Sequence, residues 1–182
     1  MRALILTANG VEDWELFYPY YRFKEEAVEV DVASPEGEKI LGEHGYSLEA
    51  NLSFADASAE DYDLLFLPGG RGPEKVRLQP EAVEITKRMF EADKLITAIC
   101  HGPQVLISAD VVRGKRATCW PALRDDLGPH RLSFAGGSPI KAAGAEYLDQ
   151  EVVVDGNLIT SRCPPDLPAF CREIFAAVRQ AV

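Results

Sequence analysis

The chain opens with a short apolar run at residues 3–8, turns at Asn9-Gly10, and passes into a helical pattern over about residues 11–27. Trp14, Phe17, Tyr18 and Tyr21 recur there at helical spacing and read as core-facing aromatics. Residues 28–33 form a second strand, closed by Ser34-Pro35-Glu36-Gly37. Residues 38–54 alternate weakly, as a small antiparallel excursion would. Residues 62–67 are a buried strand ending in Pro68-Gly69-Gly70-Arg71-Gly72, and residues 80–92 are helical, with Ala82, Ile85 and Met89 on one face. A strand at 95–98, a helix at 101–109, a short strand at 117–118 and a helical turn or two at 121–127 follow. Residues 151–155 and 158–161 flank Gly156-Asn157 as a hairpin-like return. An amphipathic helix runs from about residue 165, with Leu167, Cys171, Ile174, Phe175 and Val178 on its apolar face. Alternating strands and helices predict an α/β fold, a mainly parallel sheet covered on both faces.

The length of 182 residues suits one domain, 1–182, without repeats, linkers or stapling disulfides. A net charge of −10 is spread along the chain, and no Lys/Arg cluster offers a counter-field for phosphates. Nucleic acid is excluded as a partner on that ground. No apolar run approaches the roughly 18 to 20 residues needed to span a bilayer, and the first residues show no cleavage pattern. The expectation is a cytoplasmic protein with no membrane partner. Four cysteines, at 100, 119, 163 and 171, show neither C-x-x-C pairing nor metal-ligand spacing. No metal or cofactor is expected, and Cys119, Cys163 and Cys171 read as reduced core thiols.

Ligands of open parallel sheets bind beyond the carboxyl ends of the strands. That rule singles out the loops at 9–13, 68–74 and 99–103. In the last, an apolar strand runs into Ile99-Cys100-His101-Gly102 and then a helix. A nucleophile on such an elbow stands clear of the sheet, and Gly102 permits the close approach it needs. The helix beyond it favours thiolate over thiol and predicts a Cys100 that titrates below a free cysteine. His101 is a candidate base, although adjacent residues on a sharp turn tend to point apart. Gly69 and Gly70 free backbone N–H groups for a developing negative charge. Glu74 reads either as a solvated carboxylate at a helix start or as an active-site acid. Glu12 and Asp13 open a helix, where acidic residues suit the dipole; the sharper reading places Glu12 in the cleft against the sulfur.

These residues together resemble the PfpI family, which includes intracellular cysteine peptidases, glyoxalases and proposed deglycases. The resemblance runs along nearly the whole chain. It is carried by Thr7-Ala8-Asn9, Glu12-Asp13 with Glu15-Leu16, Tyr18-Pro19-Tyr20, Leu67-Pro68-Gly69-Gly70-Arg71, Ala98-Ile99-Cys100-His101-Gly102-Pro103 and Glu151-Val152-Val153-Val154-Asp155-Gly156. It implies a flavodoxin-like three-layer sandwich with Cys100 as nucleophile and Glu12 as the acid beside it. Gly70 and the backbone after Cys100 would form the oxyanion site. It also implies a dimer or hexamer in which Glu74 reaches a neighbouring subunit and completes a triad with His101. Trp120 stands where some peptidase-like relatives have Tyr, which removes a hydroxyl from the substrate side. Residues 128–143, with His130, look like an insertion. The related class I glutamine amidotransferases need a downstream His-x-Glu, which Thr160-Ser161-Arg162 does not supply.

The function so implied is cysteine-dependent chemistry on reactive carbonyls or their adducts, as in glyoxalases and deglycases. An intracellular peptidase using Cys100, His101 and Glu74 is the second reading. A non-enzymatic redox sensor or holdase, with Cys100 oxidised to a sulfinic acid, is the third. The substrate would be a small molecule or a peptide.

Overall fold

The computed structural model describes residues 1–121, 140 and 143–180. Its centre is a seven-stranded sheet built from β1 (Arg2–Leu6), β2 (Glu29–Ser34), β5 (Leu52–Ser53), β6 (Leu64–Leu67), β7 (Leu95–Ile99), β10 (Val152–Asp155) and β11 (Leu158–Ser161). The strand order is β10-β11-β7-β6-β1-β2-β5. Only β10 runs antiparallel, paired to β11 across the Gly156-Asn157 turn. The weakly alternating stretch holds an antiparallel pair, β3 (Ile40–Leu41) and β4 (Ser47–Leu48), while β8 (Arg116–Ala117) and β9 (Glu146–Tyr147) form a small parallel pair.

Alternation along the strands divides the core in two, because successive side chains point to opposite faces. Ala3 and Ile5 of β1, with Leu64 and Phe66 of β6, face α1 (Asp13–Glu25) and α5 (Leu167–Gln180). There Phe23 meets Phe66 and Phe175 edge-on, with centroids 5.9 and 5.6 Å apart. Leu4, Leu6, Leu65 and Leu67 face the other way, into a core with α3 (Pro80–Glu91) and α4 (Pro103–Ser108). The short α2 (Gly72–Val76) precedes α3. This is the flavodoxin-like sandwich with helices on both faces that the sequence predicts.

The phase of α1 differs from expectation. Its buried residues are Asp13, Glu15, Leu16, Pro19 and Phe23, whereas Trp14, Tyr18 and Tyr21 are exposed. The aromatics do share a stripe, but the sheet is covered by the neighbouring one. Cys171 is buried on α5 as predicted and Cys119 is buried too; Cys163 is only half-buried and so is not a core thiol. The reading of residues 121–127 as helical and that of an insertion at 128–143 fall almost wholly outside the described residues.

The chain leaves β1 toward β2 and β5, then returns to β6 on the other side of β1. Sheet order reverses there, and the crevice beyond such a switch point is where open α/β sheets bind ligands. The loops after β1, β6 and β7 meet at that crevice.

Candidate active site

Backbone pairing holds the loops after β1 and β6 together. Arg71 and Gly72 donate to the Gly10 carbonyl at 2.7 and 3.0 Å, and the Glu12 N–H donates to the Gly69 carbonyl at 3.2 Å. Gly70 adopts φ +76°, and a Cβ there would lie 2.3 Å from the Glu12 nitrogen, so only glycine fits this crossing.

Cys100 follows β7 on a sharp elbow with φ +60°, a conformation that costs a non-glycine residue on the order of 1–3 kcal/mol. Its N–H donates to the Ser161 carbonyl at 3.1 Å, and its carbonyl accepts from the Trp120 N–H at 2.9 Å. The Gly102 N–H returns to the Ile99 carbonyl at 2.8 Å. A Cβ on Gly102 would lie 2.2 Å from the Leu67 carbonyl oxygen, so the elbow closes against β6 only because residue 102 is glycine.

The acid beside the sulfur is Glu15, not Glu12. Glu15 is fully buried, accepts from the Gly69 N–H at 2.9 Å, and lines the same cleft as the Cys100 thiol. A Cβ on Gly69 would meet both Glu15 Oε2, at 2.4 Å, and Cys100 Cβ, at 2.6 Å, which shows how closely the three pack. Glu12 instead caps α1, its Oε2 accepting from the Glu15 N–H at 2.8 Å. Its Oε1 lies 3.7 Å from His44 Nδ1 at the cleft rim. The physical reason is helical phase: Glu15 lies beside Leu16 on the buried stripe, one turn inside the cap. Glu15-Leu16 is among the motifs that carry the family resemblance, and Leu16, Pro19 and Phe23 were the signal for its phase.

Burial, and then the charge of Glu12, push the Glu15 carboxyl up to about 8, against the opposing pull of Cys100 and the Gly69 N–H. Burial and the charge of Glu15 likewise push the Cys100 thiol up, while the N–H groups of Gly70 and His101 pull the other way. The expectation of a thiol below the ordinary cysteine value is therefore corrected. Helix α4 is only six residues long, and desolvation beside a carboxyl outweighs what its dipole and two N–H groups supply. Thiol and carboxyl form one unit that releases its protons reluctantly.

His101 Nδ1 lies 3.1 Å from the sulfur, and its ring stacks on Trp120 with centroids 6.3 Å apart. Burial depresses its pKa, so at neutral pH it is an uncharged imidazole. Turn geometry thus does not point the two neighbours apart. Gly69 is not free for an oxyanion, because Glu15 takes its N–H; the Gly70 N–H is the one aimed at the sulfur. Glu74 is held by Arg77 Nε and Nη2 at 2.8 and 3.2 Å and stands outside the cleft, so one chain does not join it to His101. The cleft, about 290 Å³, is lined by Glu12, Glu15, Glu43, Gly70, Arg71, Cys100, His101, Trp120 and Pro164. Glu43 and Pro164 gave no sequence signal of a site role, and Arg71 was read only as part of the loop after β6; Glu43 Oε1 accepts from Arg71 Nε at 3.0 Å. Among the described residues no cluster of three or more His, Cys, Asp or Glu side chains is placed to hold a metal, and no helix is long and apolar enough to cross a membrane.

Comparison with known proteins agrees with this architecture. The chain is 48% identical over 179 residues to the deglycase PfpI of Pyrococcus furiosus, spanning 98% of this chain and 100% of that protein. It is 37% identical over 173 residues to the putative cysteine protease YraA of Bacillus subtilis, spanning 94% and 95% of the two chains. A two-domain protein of Anabaena variabilis, with DJ-1/ThiJ/PfpI-like and ferritin-like domains, superposes with a TM-score of 0.88 at 38% identity, over 97% of this chain and 48% of that one. The profile of the DJ-1/PfpI family matches residues 1–177, and the chain belongs to that family.

Proposed function

We propose that this chain is a cysteine-dependent enzyme acting on reactive carbonyls or the adducts they form with proteins, as the name of its Pyrococcus relative suggests. The observation that carries the reading is the buried pair of Cys100 and Glu15. A carboxyl held at about 8 is an acid at neutral pH and supplies a proton to an oxygen that becomes negative in the cleft. In the proposed sequence Cys100 sulfur bonds to an aldehyde carbon as its proton passes to His101 Nδ1, 3.1 Å away, the carbonyl electron pair moves to oxygen, and Glu15 protonates that oxygen. Glu15, now a carboxylate, removes the hydrogen on the sulfur-bound carbon of a 2-oxoaldehyde adduct and returns it to the neighbouring carbon, while the hydroxyl proton on the first carbon's oxygen passes to the oxygen of the second. Water hydrolyses the resulting thioester: its hydroxide stays on the carbonyl carbon as a 2-hydroxy acid, its proton returns to Glu15, and the sulfur leaves with the proton held by His101. The Gly70 and His101 N–H groups support the sulfur as it gains and loses charge. Trp120 and His101 form the flat wall of the substrate side.

The 3.1 Å contact between Cys100 and His101 supports a second reading, a peptidase in which the neutral imidazole takes the thiol proton. In that reading Glu74 completes the site across a dimer or hexamer interface. Turnover of methylglyoxal and of a fluorogenic peptide, measured on Glu15→Gln and Glu74→Gln with sedimentation of each, separates the two. Loss of carbonyl turnover in Glu15→Gln, with its retention in Glu74→Gln, is the expected result. Loss in Glu74→Gln with assembly intact would replace the carbonyl mechanism by the triad.

A further inference from the structure

We propose that Cys163 is the partner thiol of Cys100 in an intramolecular disulfide, formed when a hydroperoxide oxidises Cys100. The proposal rests on the reading of Cys100 as the reactive thiol and goes beyond it. Strands β7 and β11 run parallel with Ile99 opposite Ser161, and the Cys100 N–H donates to the Ser161 carbonyl. Cys100 is thus one residue, and Cys163 two, beyond the same rung. Neighbouring strands are about 4.8 Å apart, so Cys100, on its elbow, and Cys163 leave adjacent strand ends, and a disulfide needs their Cα atoms to come within about 7 Å. Cys163 is in extended backbone, φ −168° and ψ 169°, so the chain has not yet turned away. Pro164, the next residue, lines the cleft that holds the Cys100 sulfur.

The other two cysteines are less suited. Cys119 is fully buried and packs in the core on the opposite side of the sheet from Cys100. Cys171 is buried within α5. Cys163 alone is half-open to solvent, and its thiol donates to Asp166 Oδ2 at 3.5 Å. Arg162 Nε and Nη2 hold the same carboxylate at 2.8 and 3.2 Å. Burial and Asp166 push the Cys163 thiol up to about 11, so at rest it carries its proton and Asp166 is placed to accept it.

The chemistry balances as follows. Cys100 sulfur takes the distal oxygen of the hydroperoxide, giving a sulfenic acid and an alcohol, or water from hydrogen peroxide. Cys163 sulfur attacks Cys100 sulfur while its proton passes to Asp166. The S–O bond breaks, and the hydroxide leaves with that proton as water. Two thiols lose two electrons, and the peroxide gains them. The disulfide would divert Cys100 from the sulfinic acid, an oxidation step that thiols do not reverse.

The test treats reduced wild type and Cys163→Ser with graded hydrogen peroxide, followed by intact mass and non-reducing peptide mapping. Serine retains a donor to Asp166, so the fold should persist, which the melting curve of the variant checks. The wild type should lose two hydrogens, link residues 100 and 163, and recover methylglyoxal turnover with dithiothreitol. Cys163→Ser should gain one or two oxygens at Cys100 and stay inactive once two are added. Oxygens on wild-type Cys100 with Cys163 still open to alkylation would overturn the proposal. Iodoacetamide labelling of the reduced wild type, carried to alkaline pH because the thiol releases its proton reluctantly, tests the underlying reading separately: a Cys100 that alkylates but forms no link defeats only the disulfide, and one that does not alkylate even there defeats both.

Discussion

Replacing Glu15 by Gln should make the protein more stable and less active. The carboxyl goes from 4.5 in the ordinary case to about 8 in the fold. The folded state then holds a proton that the unfolded chain has released, and stability falls as pH rises from about 4.5 through about 8. At pH 7 the unfolded group lies about 2.5 units above its pKa while the folded group is still mostly protonated, a cost of about 3 kcal/mol. Glutamine is neutral in both states. Its amide can still donate to the sulfur and accept from the Gly69 N–H, so the penalty disappears with the contacts in place. For a domain of this size about 3 kcal/mol corresponds to a rise in melting temperature of about 6–12 °C. Calorimetry at pH 4 and pH 7 reads the effect: the two proteins should melt alike at pH 4 and diverge at pH 7. An amide transfers no proton, so kcat toward methylglyoxal should collapse in the stabilised variant. A variant that melts at or below wild type at pH 7 would show that Glu15 is not held protonated, and the proton-donor role would fail with it.

Other outcomes follow from the same geometry. Wild-type kcat/KM should decline as pH rises through about 8, because the donor is then the carboxylate; a rate rising through that pH would contradict the assignment. Glu12→Ala should lose about 1 kcal/mol from the missing cap, seen by denaturant titration. It should also move the decline of the pH profile to lower pH, because the Glu12 charge raises Glu15, and should leave turnover at neutral pH largely in place. Gly102→Ala should lower the melting temperature sharply and weaken alkylation of Cys100, since a Cβ 2.2 Å from the Leu67 carbonyl forces the elbow open.

Strand periodicity and turn residues made the sheet and the elbow legible in the sequence, because each is a local property of a short segment. Asn9-Gly10, Gly69-Gly70 and Cys100-His101-Gly102 all lie where the fold brings them together. The phase of α1 was not legible. Trp14, Phe17, Tyr18 and Tyr21 form a better apolar stripe than the mixed one of Asp13, Glu15, Leu16, Pro19 and Phe23 that actually covers the sheet. Two acids on the buried stripe are what misled, and the reason they are there is chemical: Asp13 accepts from the His44 and Tyr46 N–H groups, and Glu15 serves the sulfur. The same phase error put Glu12 in the place of Glu15. The raised thiol was also hidden, because desolvation depends on what packs around Cys100 and not on its neighbours in sequence.

The claim that Cys100 is the nucleophile is tested most directly by methylglyoxal turnover of Cys100→Ser, with a melting curve to verify the fold. A serine hydroxyl in this buried site cannot be ionised by the neighbours that handle a thiol, so turnover should fall to background while the melting transition stays near that of wild type. Turnover close to wild type in a folded Cys100→Ser protein would contradict the account.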